Sequence, residues 1–259
     1  MRISIITPSY NQGEFIESTI RSVMEQDHKD IEHLVIDGGS KDSTISTLKK
    51  YPHVQWVSEK DSGQSQAINK GFQRATGDIV AWINSDDYYE KNIFGAVTGF
   101  FESHSDCMLL YGDITFVDRQ GRSLFSITGD TIDYERLVEY PDIVRQPSFF
   151  WRRELLEEIG GVDENLDLVM DYDFFLRAGK RHKFHYLRNN LSYYRYYEEN
   201  KSRSLARRQI VEIIRVYRKN QLRITARMVK HLVGKFVRSF NLKSIEKFEQ
   251  LLKGHRPSA

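Results

Sequence analysis

Apolar segments alternate with amphipathic segments along the first hundred residues. The apolar runs have the length and the β-branched composition of buried strands, and they occupy residues 3–7, 34–36, 54–57 and 79–83. The segments between and after them repeat their apolar residues at helical spacing, and they occupy residues 14–26, 44–50, 64–74 and 93–101. This alternation predicts a parallel, largely buried sheet with right-handed crossovers.

After residue 105 the pattern becomes mixed. Strands are predicted at residues 108–111, 114–117, 124–127, 149–151, 184–187 and 191–194, and helices at residues 152–159 and 172–178. Residues 118–121 have the composition of a hairpin turn, which predicts an antiparallel pair on either side of them. The sequence therefore predicts a parallel half followed by a mixed half.

The last sixty residues form a basic tail. Residues 200–259 carry sixteen Lys or Arg and three Asp or Glu, a formal charge of +13, whereas residues 1–199 carry −11. Two apolar stripes with helical spacing run along the tail: Ile210, Ile213, Ile214 and Tyr217, then Val229, Leu232, Val233, Phe236, Val237 and Phe240. They fit either packing on the body or adsorption to an anionic membrane surface. Nucleic acid is a disfavoured partner, because the tail has no aromatic stacking platform.

The composition excludes several classes of protein. The single cysteine, Cys107, excludes intrachain disulfides and a cysteine-based metal site, and it predicts a reducing, cytoplasmic location. The first apolar run is too short for a signal peptide, and no apolar stretch approaches the about 18 residues of a membrane span. Neither a G-x-G-x-x-G after the first strand nor a P-loop motif occurs, which argues against dinucleotide dehydrogenases and P-loop enzymes.

The loops after the four predicted strands are polar, and the carboxyl ends of parallel strands meet at one edge of a sheet. Any single loop is an ordinary strand–helix connection, but four polar loops at one edge favour a nucleoside diphosphate site. Tyr10 offers a ring for stacking on a base, and Asp37 offers an acceptor for a base or ribose donor. Lys60 or Lys70 would offset the charge of the phosphates.

The loop after the fourth strand is acidic and contains Asn84, Ser85, Asp86 and Asp87. Such a cluster of hard oxygen ligands suits Mg²⁺ or Mn²⁺ and, through the metal, a diphosphate. The sequence predicts Asp86 as a metal ligand with Asp87 beside it. A solvated turn that caps the next helix is the alternative.

Four segments, I-I-T-P-S-Y-N, V-I-D-G-G-S-K-D-S-T, E-K-D-S-G-Q-S-Q-A-I-N-K-G and W-I-N-S-D-D, together resemble glycosyltransferase family two. The resemblance covers about residues 2–200. It implies the α/β GT-A fold, a Rossmann-like, mostly parallel sheet with a mixed acceptor-side half and a C-terminal basic helical extension. The catalytic domain would span 1–200, with a nucleotide-sugar-binding half at 1–105, an acceptor half at 106–200, and the tail at 201–259.

The resemblance also implies a reaction. A sugar would move with inversion from a nucleoside diphosphate, usually UDP, to a saccharide or lipid-linked saccharide acceptor, with Mg²⁺ or Mn²⁺ as cofactor. Positions that hold the nucleoside in the family match Pro8, Tyr10, Asp37 and Asp61. The family's D-x-D metal motif falls on residues 84–86, where Asn replaces the first carboxylate.

The segment that carries the family's catalytic base resembles residues 169–177. Asp171 falls on the base, and Met170 replaces the Glu before it. A helix N-cap is the alternative role for Asp171, and Asp173 is the alternative base. The family's R-x-H segment falls on residues 194–202, with Tyr197 in place of His, so that Arg195 or Lys201 would meet the diphosphate.

Two other functions remain open at this point. The first is a nucleotidyltransferase on a related sheet, which would release pyrophosphate. The second is a catalytically weak nucleotide-sugar binder tethered by its basic tail, which the departures at Asn84, Met170 and Tyr197 favour. Tyr197 and Lys201 also have the Y-x-x-x-K spacing of short-chain dehydrogenases, but the glycine-rich turn of those enzymes is missing.

Overall fold

The computed structural model describes residues 1–129, 131–197 and 205–234. In the first half, strands and helices alternate as the sequence predicts. The elements are β1 (Ile3–Ser9), α1 (Ile16–Met24), β2 (Ile31–Asp37), α2 (Thr44–Leu48), β3 (Gln55–Ser58), α3 (Gln64–Arg74), β4 (Ile79–Trp82), β5 (Tyr88–Tyr89) and α4 (Phe94–Ser103). The two-residue strand β5 was not predicted.

The second half is mixed. Its elements are β6 (Leu109–Val117), β7 (Ser123–Ile127), α5 (Tyr134–Glu139), β8 (Phe149–Arg152), α6 (Glu154–Ile159), α7 (Met170–Gly179), β9 (Phe184–Arg195) and α8 (Ala206–Lys219). Two 3-10 turns, Pro141–Ile143 and Gln146–Ser148, lead into β8. The unpredicted helix α5 begins after Asp133, whose side chain accepts a hydrogen bond from the backbone N–H of Arg136.

Within the described residues, the strands form one nine-stranded sheet in the order β3-β2-β1-β4-β8-β6-β9-β5, with β7 paired to β6. The pairs among β1, β2, β3 and β4 are all parallel. Strand β8 joins this part to β6 through antiparallel pairs, and β6 runs parallel to β9. The predicted α/β fold, a parallel half with a mixed half attached, is confirmed.

Two long strands, β6 and β9, replace four short predicted ones. The predicted breaks fell at polar residues, Gly112-Asp113 in β6 and residues 188–190 in β9. Both strands run through these places without ending, and the pairing of β6 with β9 shifts register on either side of Asp113. A side chain at Gly112 would lie 2.5 Å from the Leu191 side chain, so the glycine permits the close approach of β9.

An aromatic core joins α7 to β4. Trp82 of β4 lies 5.8 Å from Phe174 and 6.0 Å from Phe175 of α7, measured between ring centroids, and 5.4 Å from Trp151 of β8. All four rings are buried. Burying an aromatic side chain of this size stabilises the fold by about 2–3 kcal/mol. The start of α7 and the end of β4 are therefore held in a fixed relation.

Helix α8 of the tail also packs on this core. Ile213, Val216 and Tyr217 are buried there, and the buried Glu212 accepts hydrogen bonds from the N–H groups of residues 167 and 168 just before α7. The boundary predicted at residue 200 falls outside the described residues.

Residues 226–234 are helical as well. In the second predicted stripe, Leu232 is buried whereas Val229 and Val233 are exposed, and Phe236, Val237 and Phe240 lie outside the described residues. No helix in the described part of the chain is long and apolar enough to cross a bilayer.

Candidate active site

A cavity of about 920 Å³ lies where the loops after the parallel strands meet the second half. That volume is in the range of sites that enclose a ligand of several rings. Of the residues predicted for the site, it is lined by Pro8, Tyr10, Lys60, Asp61, Asp86 and Asp171. Residues of β6, β7, α7, α8, the end of β9 and the two 3-10 turns before β8 line it as well. The structure thus brings together six predicted site residues from four segments: the end of β1 with its following loop, the loops after β3 and β4, and helix α7.

Asp86 lies in a tightly bonded loop. The Asn84 side chain accepts a hydrogen bond from Gln64 Nε2 at 2.8 Å and donates one to Asp87 at 3.3 Å. The Tyr197 hydroxyl donates to Asp86 Oδ2 at 2.8 Å, and burial together with the negative charge of Asp86 raises the pKa of Tyr197 far above its ordinary value. The hydroxyl therefore remains a donor that holds the Asp86 carboxylate in place.

Asp87 does not lie in the cavity, in contrast to its predicted place beside the metal. Its side chain is buried and accepts the backbone N–H of Arg195 at 2.8 Å. Burial and the neighbouring charge of Asp86 raise the pKa of Asp87 well above its ordinary range. Asp87 differs from the prediction because its carboxyl group accepts the hydrogen bond from Arg195 and thereby links the acidic loop to the end of β9.

Arg195 is buried beneath the same loop. Its Nε donates to the carbonyl of Asp86 at 2.8 Å, and its guanidinium lies 4.9 Å from the Phe15 ring and 5.3 Å from the Tyr88 ring. It does not line the cavity, so it holds the loop rather than reaching a diphosphate. Lys201, the alternative phosphate contact, lies outside the described residues.

The loops after β2 and β3 lie against each other, and two carboxylates, Asp37 and Asp61, lie near their contact. Asp61 lines the cavity and accepts the N–H of Gly63 at 3.0 Å. A side chain at Gly38 would lie 2.8 Å from Asp61 Oδ2, so glycine permits this approach. Asp37 is fully buried and does not line the cavity.

The reason for the burial of Asp37 is its bonding. Its carboxylate accepts the N–H groups of Gly39 and Ser40 and the hydroxyls of Ser40 and Ser58. These hydrogen bonds give both carboxylate oxygens partners within the protein. The Asp37 side chain therefore stabilises the loop beneath the predicted nucleoside site.

The cations and the ring predicted for the donor differ in exposure. Lys60 is exposed at the cavity, whereas Lys70 forms an ion pair with Glu59 at 2.8 Å and does not line it. Tyr10 is 61% exposed. The exposed Tyr10 ring and the exposed Lys60 ammonium group therefore lie on the side of the cavity that the loops of the first half form.

Asp171 lies at the second position of α7, after the cap residue Val169. It is half-buried, lines the cavity, and accepts the N–H of Tyr172 at 2.8 Å. Since Val169 occupies the cap position, the side chain of Asp171 faces the cavity from within the first turn rather than capping the helix from outside.

Asp173, the alternative base, is fully buried and does not line the cavity. It lies 2.9 Å from Arg177 Nε and 3.2 Å from Lys219 Nζ, and it accepts a hydrogen bond from Asn220 at 3.2 Å. These contacts make it a link between α7 and α8.

Sequence reasoning missed several residues of the cavity wall. Gln209 and Ile213 of α8 line it, and Gln209 Oε1 is buried without a hydrogen-bond partner among the described residues. Phe116 of β6 and Phe125 of β7 line it as well. The helical stripe containing Ile213 predicted a buried face, but nothing local indicates which surface that face covers.

The residues present fit a divalent metal that binds together with a diphosphate. No cluster of three or more His, Cys, Asp or Glu side chains suited to a metal occurs among the described residues. Magnesium sites of nucleotide enzymes commonly use one or two carboxylates and complete the shell with substrate phosphates and water. The cavity-lining Asp86 matches that description.

The chain is similar to known glycosyltransferases in sequence and in fold. The model of the family described as Glycosyl transferase family 2 matches residues 4–160. An uncharacterized glycosyltransferase of Rickettsia conorii is 24% identical over 79% of this chain and 35% of its own length. The putative teichuronic acid biosynthesis glycosyltransferase TuaG of Bacillus subtilis is 40% identical over 35% of this chain and 38% of its own. The chain thus spans little more than a third of these relatives.

Two solved structures share the fold. Residues 1–349 of S. aureus TarS in complex with UDP-GlcNAc superpose with a TM-score of 0.66 at 23% identity, covering 83% of this chain and 67% of that one. The mannosyltransferase PcManGT of Pyrobaculum calidifontis, in complex with GDP-Man and Mn²⁺, superposes with a TM-score of 0.64 at 18% identity. The match covers 90% of this chain and 68% of that one. With the family model matched over more than half of its residues, this GT-A chain belongs to glycosyl transferase family 2.

Proposed function

We propose that this chain transfers a sugar, with inversion, from a UDP-sugar to a hydroxyl group of an acceptor. The observation that carries the proposal is the placement of Asp86 and Asp171, from opposite halves of the chain, in one cavity. Pro8, Tyr10 and Asp61 line the same cavity, where they would contact the nucleoside of the donor. The UDP-GlcNAc complex of TarS supports a uridine nucleotide as donor.

In the proposed reaction Asp171 is the general base. Its carboxylate takes the proton of the acceptor hydroxyl while that oxygen attacks the sugar carbon bonded to the diphosphate. A single displacement of this kind inverts the configuration of the carbon. Lys60 lies at the cavity, where its charge would stabilise the departing diphosphate.

We further propose that Asp86 holds Mg²⁺ or Mn²⁺ together with the diphosphate of the donor. When bound, the ion would neutralise charge that develops on the leaving group. Asn84 adds no carboxylate, and its amide is engaged by Gln64 and Asp87, so Asp86 is the protein ligand in this proposal. The Mn²⁺ complex of PcManGT supports the choice of metal.

The proposed acceptor is a saccharide or lipid-linked saccharide of a cell-surface polysaccharide or glycolipid. The name of the TuaG relative, which refers to teichuronic acid biosynthesis, supports this class.

A cytoplasmic protein with such an acceptor would work at the inner membrane surface. Exposed Val211, Ile224, Val229 and Val233 lie among the basic residues of the tail, a combination that favours adsorption to anionic lipid. Sedimentation with phosphatidylglycerol vesicles, but not with phosphatidylcholine vesicles, is the expected result. Equal recovery with both would remove this part of the proposal.

The main experiment combines donor binding with product analysis. UDP-sugars, screened with Mn²⁺, should raise the melting temperature, and the stabilising donor should release UDP when Mn²⁺ is present. Release of pyrophosphate instead would identify a nucleotidyltransferase. Thermal stabilisation without metal-stimulated release would identify a nucleotide-sugar binder. Absence of both effects with every UDP- and GDP-sugar tested would refute the proposal.

A further inference from the structure

Three neighbouring strands place aromatic side chains at the same level of the sheet. Phe116 of β6 pairs in register with Phe125 of β7 and with Tyr194 of β9. The Phe116 and Phe125 rings are stacked, with centroids 4.5 Å apart and planes at 12°, and the Phe116 and Tyr194 rings are 5.2 Å apart. Tyr196 lies 6.4 Å from Phe116. These four residues are called the aromatic row below.

The aromatic row faces the cavity. All four of its side chains line the cavity, and Phe125 is 52% exposed and Tyr196 38% exposed. The next position along β6 and β7 presents polar groups to the other face, where the Thr115 and Ser126 hydroxyls lie 2.9 Å apart. The row is therefore not a core cluster that happens to be near the surface. It is an aromatic surface open to the site.

None of the residues proposed to bind the donor belongs to the row. The donor contacts come from loops of the first half, whereas the row lies on β6, β7 and the end of β9 in the second half. Since its side chains line the same cavity as Asp171, a molecule resting on the row shares the cavity with the proposed base. The row is therefore available to the acceptor, the second reactant of the proposed transfer.

The geometry points to the aromatic row as an apolar platform for the sugar rings of the acceptor, an inference that rests on the proposed function. A pyranose ring presents a face of C–H groups and carries its hydroxyls around the edge. Since the Phe116 and Phe125 rings lie face to face, the row meets this C–H face with apolar ring edges and with the exposed part of Phe125. These groups remove the C–H face from water and leave the hydroxyls free for hydrogen bonds.

The length of the row fits more than one sugar. Adjacent strands are about 4.8 Å apart, so a row across three strands extends for roughly 10 Å. That length exceeds a single pyranose ring. We therefore assign the platform to an acceptor of at least two sugar residues, rather than to a monosaccharide.

An alkyl or isoprenoid chain fits the row less well. Such a chain gains free energy in proportion to the apolar area removed from water, which favours a groove that surrounds it. The row covers a ligand from one side only, and about half of the Phe125 side chain stays open. A flat ligand with one apolar face and a polar edge matches this surface.

The hairpin offers a matched pair of variants for the test. Leu124 and Phe125 are neighbours and are 50% and 52% exposed, but only Phe125 lines the cavity. Chitotriose, cellotriose and mannotriose are the saccharide probes, and binding is followed by saturation-transfer NMR. We expect at least one trisaccharide to bind, with its C–H protons receiving the transfer. Phe125→Ala should weaken that binding about tenfold, while Leu124→Ala leaves it unchanged.

Retained binding in Phe125→Trp would identify aromatic contact as the cause. Similar melting temperatures of the variants would show that folding is intact. The inference is overturned if none of the three trisaccharides binds or if Phe125→Ala binds as the wild type does. Decyl maltoside provides a further arm. Transfer to its alkyl protons, lost in Phe125→Ala, without transfer to its sugar protons would assign the row to a lipid chain instead.

These measurements separate the inference from the proposed function. Thermal stabilisation by UDP and UDP release to water should be the same in Leu124→Ala, which lies outside the cavity, as in the wild type. Failure of the proposed function would abolish metal-stimulated UDP release in the wild type, whereas failure of the inference alone would leave that release intact and show no dependence of saccharide binding on Phe125.

Discussion

Two acidic side chains of α7, Asp171 and Asp173, should respond in opposite ways to replacement by Asn. Asp171 is half-buried and lines the cavity, whereas Asp173 is fully buried between the cations Arg177 and Lys219. The first change should reduce turnover with little effect on folding, and the second should reduce stability first.

The size of each effect follows from the surroundings. A positioned general base contributes about 10²- to 10⁴-fold to the rate, so Asp171→Asn should lower metal-stimulated UDP release by at least about a hundredfold. Removing one partner of a buried ion pair costs about 3–5 kcal/mol. We expect the low end, about 3 kcal/mol, for Asp173→Asn, because Lys219 is 44% exposed and keeps its contact with Asp163 at 2.7 Å. For a chain of this size that loss lowers the melting temperature by roughly 9 °C.

The assay is thermal unfolding followed by circular dichroism, together with UDP release at a temperature where both variants are folded. UDP affinity, measured by calorimetry, should be close to the wild-type value in Asp171→Asn. The base assignment is refuted if Asp171→Asn releases UDP at the wild-type rate. If Asp173→Asn melts at the wild-type temperature but releases no UDP, Asp173 rather than Asp171 is the base.

Three further predictions concern the metal, acid and packing. Tyr197→Phe removes the hydroxyl that holds Asp86, so the Mn²⁺ concentration for half-maximal UDP release should rise about fivefold; an unchanged requirement would contradict this role. Burial raises the pKa of Asp163, but the hydrogen bonds from Lys219 and Asn165 and the charge of Lys219 together outweigh it and bring the pKa to about 2, below the unfolded value. The stabilisation is therefore complete above about pH 4 and lost as the pH falls towards 2, and urea unfolding of Asp163→Asn should show a deficit at pH 7 that shrinks over this window. In Gly71→Ala the new methyl would lie 2.3 Å from an isoleucine of β1, and urea unfolding should show a loss of about 1–3 kcal/mol, whereas a loss below about 0.5 kcal/mol would show that α3 shifts freely.

Local periodicity predicts the first half well. Helix α3 begins and ends at the predicted residues, Gln64 and Arg74, and the four parallel strands lie where apolar runs indicated. Each of these elements has a pattern that its own residues complete. By contrast, β5 consists of two residues that pair with β9, and the bulged passages of β6 and β9 depend on partners far along the chain. No local pattern specifies such pairing.

For the site, the sequence likewise predicts the course of the backbone better than the environment of each side chain. The rule that loops gather at the carboxyl ends of parallel strands predicts Tyr10, Asp61 and Asp86 at one edge of the sheet, and all three line one cavity. It placed Asp37 and Asp87 there too, because it locates the backbone and does not show whether a carboxylate is taken up by neighbouring N–H groups. The catalytic and binding roles of these residues remain predictions until the variants are measured.

The position of α8 bears on how the protein can be trimmed. The family match ends at residue 160, and the change in charge falls near residue 200, so either point invites a shorter recombinant fragment. A fragment ending at residue 200 would lack Gln209 and Ile213 from the cavity wall and Lys219 from its place beside Asp173. Such a fragment is expected to expose apolar surface to solvent and to aggregate, and any catalytic defect it shows would reflect a missing wall rather than lost membrane targeting.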